Sequence, residues 1–362
     1  MNIKELSLQN FRNLGELQLR PTAGVNVFYG NNAQGKTNLL ESLYFCGTGR
    51  SMRTKNDSQL IAFGKEDSHI RLQLSTQNRS ERIDVHLKRD TKKGIAINGL
   101  PIRKLGDLFG TMYTVIFSPE DLSLVKDGPT ERRRFLDMEI CQISKVYYYD
   151  LQQYYRILKQ RNHLLKEIQK KPALKEQLFI WDEQLVDYGE RIISAREVFL
   201  TRLDEIAANK TNELTGGSDS LKIRYQKNCN IGEFQEKLKR NMDRDIYLGN
   251  TQSGPHKDDI LFTISDKEVK LFGSQGQQRT TALAVKLAEI DLIQEETGES
   301  PILLLDDVLS ELDEHRQRYL LESIAGLQSF ITCTGVEDSI RQYTHEDNLF
   351  YVEDGKLMKS EK

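Results

Sequence analysis

Apolar and polar positions alternate through most of the first hundred residues. Leu6 and Leu8, Leu17 and Leu19, then Val25, Val27 and Tyr29 predict three short strands. Ile70, Leu72 and Leu74, then Ile83, Val85 and Leu87, then Ile95 and Ile97 predict three more, with Asn98-Gly99 as a hairpin turn. Met112 to Phe117 reads as a further strand, closed by Ser118-Pro119. From Glu131 the period lengthens. Leu151, Leu158 and Leu165 stand seven apart, with Tyr154 and Ile168 between them and Arg161 interrupting that second row, until Pro172 stops the helix. The repeat resumes with Leu178, Leu185, Ile192, Phe199 and Ile206, and a second row of Trp181, Tyr188 and Ala195. Two heptad helices around a proline turn predict either an antiparallel hairpin or two core helices of a bundle, since both bury the same stripe. The second arm, Ala173 to Asn209, would be roughly 55 Å long at about 1.5 Å per residue, too short for a long coiled-coil arm.

After Thr215-Gly216-Gly217-Ser218 strands return at Leu221, Ile223 and Tyr225. A short amphipathic helix is expected from Phe234 to Met242, and Ile260, Phe262 and Ile264, then Val269 and Leu271, alternate. Pro301 opens Ile302-Leu303-Leu304-Leu305, a continuous apolar run as in a strand covered on both faces. Phe330 to Cys333 and Leu349 to Val352 complete the sheet.

Composition narrows the class without naming a function. The 362 residues, 38% hydrophobic and 29% charged, suit a globular protein of two lobes. The 51 basic and 54 acidic residues nearly cancel, to a net charge of -3, so any nucleic-acid site must be a local patch. Met1 to Leu14 carries Lys4, Glu5 and Arg12 rather than the apolar run of a signal peptide, and no stretch approaches the roughly 18 apolar residues of a membrane span. Cys46, Cys141, Cys229 and Cys333 are too scattered for a metal knuckle, and isolated thiols of this kind suit the cytoplasm.

Candidate chemistry gathers at three places. Gly30-Asn31-Asn32-Ala33-Gln34-Gly35-Lys36-Thr37, between the Val25 strand and the helical residues Leu39, Leu40, Leu43 and Tyr44, fits the phosphate-binding loop G-x-x-x-x-G-K-[ST]. Its glycines let consecutive N–H groups turn inward, Lys36 would reach the β and γ phosphates, and the Thr37 hydroxyl would ligate Mg²⁺. The strand Ile302–Leu305 ends in Asp306 and Asp307, placing one carboxylate to hold Mg²⁺ and a second to polarise water. The polar loop Gly273-Ser274-Gln275-Gly276-Gln277-Gln278-Arg279-Thr280 precedes helical residues Ala282 to Ile293 and makes a second anion-binding helix start. One triphosphate does not need two such surfaces. A homodimer does, if each protomer covers the other's nucleotide.

At these residues the chain resembles the ABC-type ATPases. Gly273 to Gln278 is similar to their signature loop and Ser310-Glu311-Leu312-Asp313 to their D-loop. Within that group the resemblance is to the DNA-repair branch that includes the SMC proteins, and there to the RecF family, over nearly the whole length. It is carried by Asn10-Phe11-Arg12-Asn13, Gly30 to Asn38, Gly47-Thr48-Gly49-Arg50-Ser51, Phe117 to Leu122, Arg132-Arg133-Arg134-Phe135-Leu136-Asp137, Gly254-Pro255-His256-Lys257-Asp258-Asp259, the Ser274 loop and Leu305 to Asp313. The resemblance implies an α/β fold, an ABC-type ATPase head with a mixed β-sheet and phosphate loop, split over residues 1–118 and 245–362. A helical lobe with an antiparallel hairpin would fill 119–244.

The family resemblance implies a cytoplasmic protein that dimerises on ATP, clamps double-stranded and gapped DNA, and acts with RecR and RecO to load RecA. By it, Ser274, Gln275, Gly276 and Gln277 would cover the partner's nucleotide, Ser310 and Asp313 would form the D-loop, and Arg12 would lie against the nucleotide phosphates. Asp307 stands where many relatives have glutamate, Thr334-Gly335 where transporters have a switch histidine, and Glu120 is the nearest candidate for the Q-loop. These departures imply slow hydrolysis in which ATP is mainly a dimerisation switch, and the family resemblance a weak ATPase stimulated by DNA. For DNA the basic candidates are Arg50, Arg53 and Lys55, then Lys88, Arg89, Lys92 and Lys93, then Arg132, Arg133 and Arg134, which would neutralise phosphates without reading bases. The alternative of a transporter's nucleotide-binding subunit predicts a short gap between phosphate loop and aspartates, a switch histidine and a membrane partner. A scaffold that binds ATP without hydrolysing it is a third.

Overall fold

The computed structural model describes residues 1–336 and 338–359. Its strands are β1 (Asn2–Phe11), β2 (Leu14–Leu19), β3 (Val25–Tyr29), β4 (Asp67–Ser75), β5 (Ser80–Lys88), β6 (Gly94–Ile97), β7 (Leu100–Pro101), β8 (Thr114–Phe117), β9 (Leu221–Gln226), β10 (Asp259–Ile264), β11 (Lys267–Glu268), β12 (Ile302–Asp306), β13 (Ser329–Cys333), β14 (Leu349–Glu353) and β15 (Lys356–Lys359). Its helices are α1 (Lys36–Thr48), α2 (Leu122–Lys126), α3 (Pro129–Ile143), α4 (Lys145–Ile168), α5 (Leu178–Thr215), α6 (Phe234–Leu248), α7 (Val269–Phe272), α8 (Gln275–Thr297), α9 (Glu314–Ser323) and α10 (Asp338–Arg341).

The chain divides into two units, Met1–Asp121 with Lys286–Lys362, and Leu122–Val285. The return to the first unit falls at residue 286, inside α8, where the family resemblance implies 245. The reason is pairing: the alternating residues of β10 bond to β9, in the order β11-β10-β9, within the second unit. Alternation reports a strand but not its partner.

The first unit holds two six-stranded sheets. In β2-β1-β4-β5-β6-β7 every pair is antiparallel, and β4 and β5 bury every second residue because one face meets solvent. In β15-β14-β3-β13-β12-β8 the pairs from β14 to β8 are parallel, and β12 and β13 are buried without alternation because both faces are covered. Phe28 stacks on Phe330 and Phe350 with centroids 6.2 and 5.1 Å away, and Leu39, Leu40 and Leu43 of α1 join the same core. Each such side chain contributes roughly 1.5–3 kcal/mol by leaving water. Together they fix the strand ends from which the phosphate loop and the aspartates emerge.

In the second unit α4 and α5 form an antiparallel hairpin whose register is readable pair by pair. Tyr147 meets Arg196, Tyr154 lies beside Gly189 and Arg161 meets Asp182, so each step of seven forward on α4 is a step of seven back on α5, and Leu165 packs with Leu178 a further four residues along both helices. The Trp181, Tyr188, Ala195 row is only half-buried. Gly189, Ile193, Arg196, Leu200 and Leu203 are the buried companions of the Leu185 row, because β9 and α6 also cover α5. A Cβ on Gly189 would fall 2.5 Å from the Phe234 ring, so that helix face must be bare. Val269 and Leu271 do not continue a strand: β11 gives way to the single turn of α7, which leaves Leu271 and Phe272 exposed.

Arg161, the interruption in the heptad row, is fully buried and donates to Asp182 at 2.6 Å, Asp245 at 2.7 Å and Thr251 at 2.8 Å. Arg196, equally buried, donates to Tyr147 at 3.0 Å, Asp137 at 2.7 Å, the Pro255 carbonyl at 2.7 Å and Asp258 at 3.0 Å. Asp258 also accepts from Asn228 N at 2.7 Å and from the Tyr225 hydroxyl. The Gly254–Asp259 motif is thus the knot of this unit. Gly254 has φ 130°, and a Cβ there would lie 2.3 Å from the Tyr154 hydroxyl oxygen.

Candidate functional site

Gly30 to Thr37 joins the parallel strand β3 to α1, and its two glycines are required by space as well as by backbone angle. Gly30 has φ 144°, and a Cβ would fall 2.5 Å from the Val352 carbonyl oxygen. Gly35 has φ 114°, and a Cβ would fall 2.8 Å from Asn13 Oδ1. Ala33 is also left-handed, at φ 65°. The turn after β14 holds the loop from behind: Asp354 N donates to Gln34 Oε1 at 2.7 Å and Gly355 N to the Gln34 carbonyl at 3.0 Å. Asn31, Asn32 and Ala33 face solvent.

Lys36 curls across this loop and donates to the carbonyls of Gly30 at 2.7 Å and Asn31 at 2.8 Å. Burial lowers its pKa, against the opposing influence of Asp307, Cys333 and Asp306. Asp306, at the end of β12, accepts on one oxygen from Thr37 and from Thr332, both at 2.8 Å. Asp307 follows with φ 53° and donates its N–H to Thr332 Oγ1 at 3.0 Å. Burial raises the Asp307 pKa, Lys36 opposing and Asp306 and Glu311 adding to the rise. A hydroxyl and a carboxylate in contact form a hard oxygen donor set that suits Mg²⁺. The first amides of α1, whose ladder starts with Leu39 N to the Gly35 carbonyl at 3.1 Å, have no helical acceptor and suit a phosphate.

Arg12 does not point its guanidinium freely at this loop. It spans the buried Glu41 of α1 with two bonds of 2.9 Å and donates to the Gln59 carbonyl at 3.0 Å. Arg53 and Ser51 reach the same carboxylate, each at 2.5 Å, and Arg53 also bonds Asn38, which donates to Asn13 at 2.6 Å. Burial alone would raise the Glu41 pKa, but these bonds from Arg12, Arg53 and Ser51 hold it below the usual value. Arg12, expected at the nucleotide, and Arg53, expected at DNA, thus share one buried acid in this structure. Glu41 escaped the sequence reading, although an acid among Leu39, Leu40 and Leu43 is a signal for a buried partner.

The remaining candidates divide. Arg50 is exposed, whereas Lys55, Lys88, Arg89, Lys92 and Lys93 line a cleft of about 300 Å³. Within it Lys93 is held by the Gly49 carbonyl at 2.7 Å and Asp57 at 2.9 Å, and Arg89 by the Lys65 carbonyl at 2.7 Å. Arg132 is not a surface cation. It is buried, paired with Asp259 at 2.6 and 3.0 Å, and donates to the carbonyls of Leu124 and Asp127. Arg133 is tied to the Asp258 carbonyl at 2.7 Å, which leaves Arg134 as the exposed member of the run. Helix periodicity decides this, since three consecutive residues point in three directions.

Ser274 is exposed at the start of α8 and forms a reciprocal cap with Gln277: Gln277 N donates to Ser274 Oγ at 3.2 Å and Ser274 N to Gln277 Oε1 at 3.0 Å. Gln277 also donates to Asp219 at 3.0 Å, Gln275 is exposed and Gly276 half-buried. Ser310 donates to the Asp307 carbonyl at 2.8 Å, and Asp313 caps α9 by accepting from Arg316 N at 2.9 Å. Glu120 is exposed, while burial pushes the carboxyl of its neighbour Asp121 up to about 6, Lys286 opposing.

Comparison with known proteins fits this geometry. The family model described as the RecF/RecN/SMC N terminal domain matches residues 2–356. The DNA replication and repair protein RecF of Lachnoclostridium phytofermentans is 45% identical, over 99% of this chain and 100% of its own. That of Lachnospira eligens is 45% identical, over 99% of both. Among solved structures, the recombination mediator protein RecF-ATP in the RecFOR pathway superposes with a TM-score of 0.92 at 38% identity, covering 99% of this chain and 97% of that one. An Smc head bound to the C-winged helix domain of ScpA shares the fold alone, with a TM-score of 0.60 at 16% identity over 99% and 97% of the two chains. With an ABC-type ATPase architecture and a match along its whole length, this chain belongs to the RecF family.

Proposed function

We propose that the chain is an ATP-switched DNA-binding protein of recombinational repair and replication restart, which joins two protomers around DNA. The observation that carries this reading is the 2.8 Å hydrogen bond between Thr37 and Asp306, residues 269 positions apart, beside Lys36. Relatives named DNA replication and repair proteins, and a RecF structure with ATP, support it. In the mechanism Lys36 exchanges the carbonyls of Gly30 and Asn31 for the β and γ phosphates, while Thr37 and Asp306 would hold Mg²⁺. When bound, that ion neutralises charge on the transferring phosphoryl group. Asp307 orients water. Its side chain is one methylene shorter than the glutamate of many relatives, which sets the carboxylate farther from the attacking water, in keeping with slow hydrolysis.

The partner's Ser274, Gln275, Gly276 and Gln277 complete the nucleotide site in the dimer, with Ser310 and Asp313 at the joint. Exposed Arg50 and Lys55, with Lys88 and Lys92, contact phosphates of duplex or gapped DNA. The protein works in the cytoplasm with RecR and RecO to place RecA. A transporter subunit is disfavoured by the family match, and among the described residues no helix is long and apolar enough to cross a membrane. Sedimentation with and without ATP and Mg²⁺ tests the core of this reading. Dimers should appear only with both and vanish in Ser274→Arg, which should still bind ATP. A monomer under every condition overturns the switch.

A further inference from the structure

Strands β4 and β5 carry a second cluster of ligand-type side chains, away from the phosphate loop. His69 and His86 are direct cross-strand partners, and Asp67 stands two residues before His69, so all three project from one face of the antiparallel ladder. The imidazoles are stacked with centroids 4.1 Å apart and 12° between planes. His69 Nε2 and His86 Nε2 lie 3.8 and 3.7 Å from Asp67 Oδ2, and one ligand atom from each of the three residues falls within 4.8 Å of the others. Two donors about 2.0–2.1 Å from a zinc ion stand about 3.4 Å apart at the tetrahedral angle. The imidazole-to-carboxylate distances are therefore a few tenths of an ångström from coordination, and these half-exposed side chains have room to rotate that far.

We propose that Asp67, His69 and His86 bind a borderline divalent transition ion of the zinc, nickel or copper class. Two imidazole nitrogens and one carboxylate oxygen select these ions over magnesium or calcium, which prefer all-oxygen shells. Among the described residues this is the one group of three His, Cys, Asp or Glu ligand atoms that close together. The neighbouring rungs leave it available. Arg71, two residues past His69, is held by Asp84 at 2.7 Å, and Lys88 stands opposite Asp67 in the register. Three protein donors leave a position for water, so the site is open. The ion would clamp β4 to β5 and stabilise the sheet in proportion to its concentration over the dissociation constant.

The test is calorimetric titration of the untagged full chain with Zn²⁺, without nucleotide or Mg²⁺, paired with Cu²⁺ electron paramagnetic resonance. The expected result is one ion per chain, nitrogen hyperfine structure from two imidazoles, and a higher melting temperature with Zn²⁺. His69→Ala and His86→Ala should each weaken binding by at least about tenfold and abolish the thermal shift. Both positions are exposed, so the variants should fold, and circular dichroism checks that they do. Lys88→Ala, which removes a competing charge, and Thr37→Ala, at the other candidate cation site, should retain the ion. Equal binding by the parent and both histidine variants, or no stoichiometric binding by the parent, overturns the proposal.

Discussion

The loop Gly30–Thr37 and the segment Gly254–Asp259 are built alike and use their charges in opposite ways. Each begins with a left-handed glycine, φ 144° and 130°, pressed against a neighbour that leaves no room for a Cβ. In the loop the following residues are open to solvent, and Lys36 rests on carbonyls that a phosphate can replace. In the segment Asp258 is 1% exposed and shared by Arg196, Tyr225 and Asn228, while Asp259 is locked to Arg132. Burial decides between them. A charge whose partners are exchangeable can serve a ligand, and one whose partners are enclosed holds a fold together.

The largest effect that would break this contrast is at Arg196. Arg196→Ala leaves Asp137 and Asp258 facing each other without their cation, and should cost about 3–5 kcal/mol in urea unfolding. Arg132→Ala should also lower stability while leaving the salt dependence of DNA binding unchanged. A stable Arg132→Ala protein with weakened DNA binding would return Arg132 to the DNA surface.

Next comes pH. Burial lowers the His256 pKa from 6.5 to about 4, with Tyr154 at 2.7 Å from Nδ1 and the Thr251 carbonyl at 3.0 Å from Nε2. The folded protein holds the ring neutral, so its share of stability is intact above pH 6.5 and falls as pH drops toward 4, where the folded form also takes the proton. The loss over that window should reach about 3 kcal/mol. Comparing the parent with His256→Gln isolates it from the carboxylates titrating nearby. Parallel pH profiles for the two proteins would remove His256 from the account.

In the loop the expected effects are smaller and ligand-specific. Thr37→Ala should weaken Mg²⁺-dependent ATP binding at least tenfold, about 1.4 kcal/mol, and change nucleotide-free stability by less than about 1 kcal/mol. Equal weakening in EDTA would mean that Thr37 does not serve the cation. Smallest of all, Arg50→Ala should reduce the salt slope of DNA binding by about 1 with an affinity loss under about 1 kcal/mol. An unchanged slope would place DNA elsewhere.

Much of the fold was legible because it rests on local periodicity. The alternating strands, the apolar β12 and the seven-residue steps of α4 and α5 are each set by which residues must leave water. The loop and the aspartate pair were legible as motifs, since glycine angles and strand-end carboxylates leave a mark in a few adjacent residues. Glu41, the Arg12 and Arg53 that share it, and the buried Arg161 were not. Their partners lie 29, 12 and 21 positions away, and a charged letter does not say which opposite charge will be near it.

The sequence by itself determined the elements, the phosphate loop and the family resemblance, because backbone conformation and hydrophobic period act over a few residues. Only the tertiary structure decided that Thr37 meets Asp306, that β10 belongs with β9, and that Arg132 is an anchor while Arg50 is free to the solvent. These are choices of partner and of burial. They depend on strand pairing and enclosure across long stretches of chain, where no local propensity reaches.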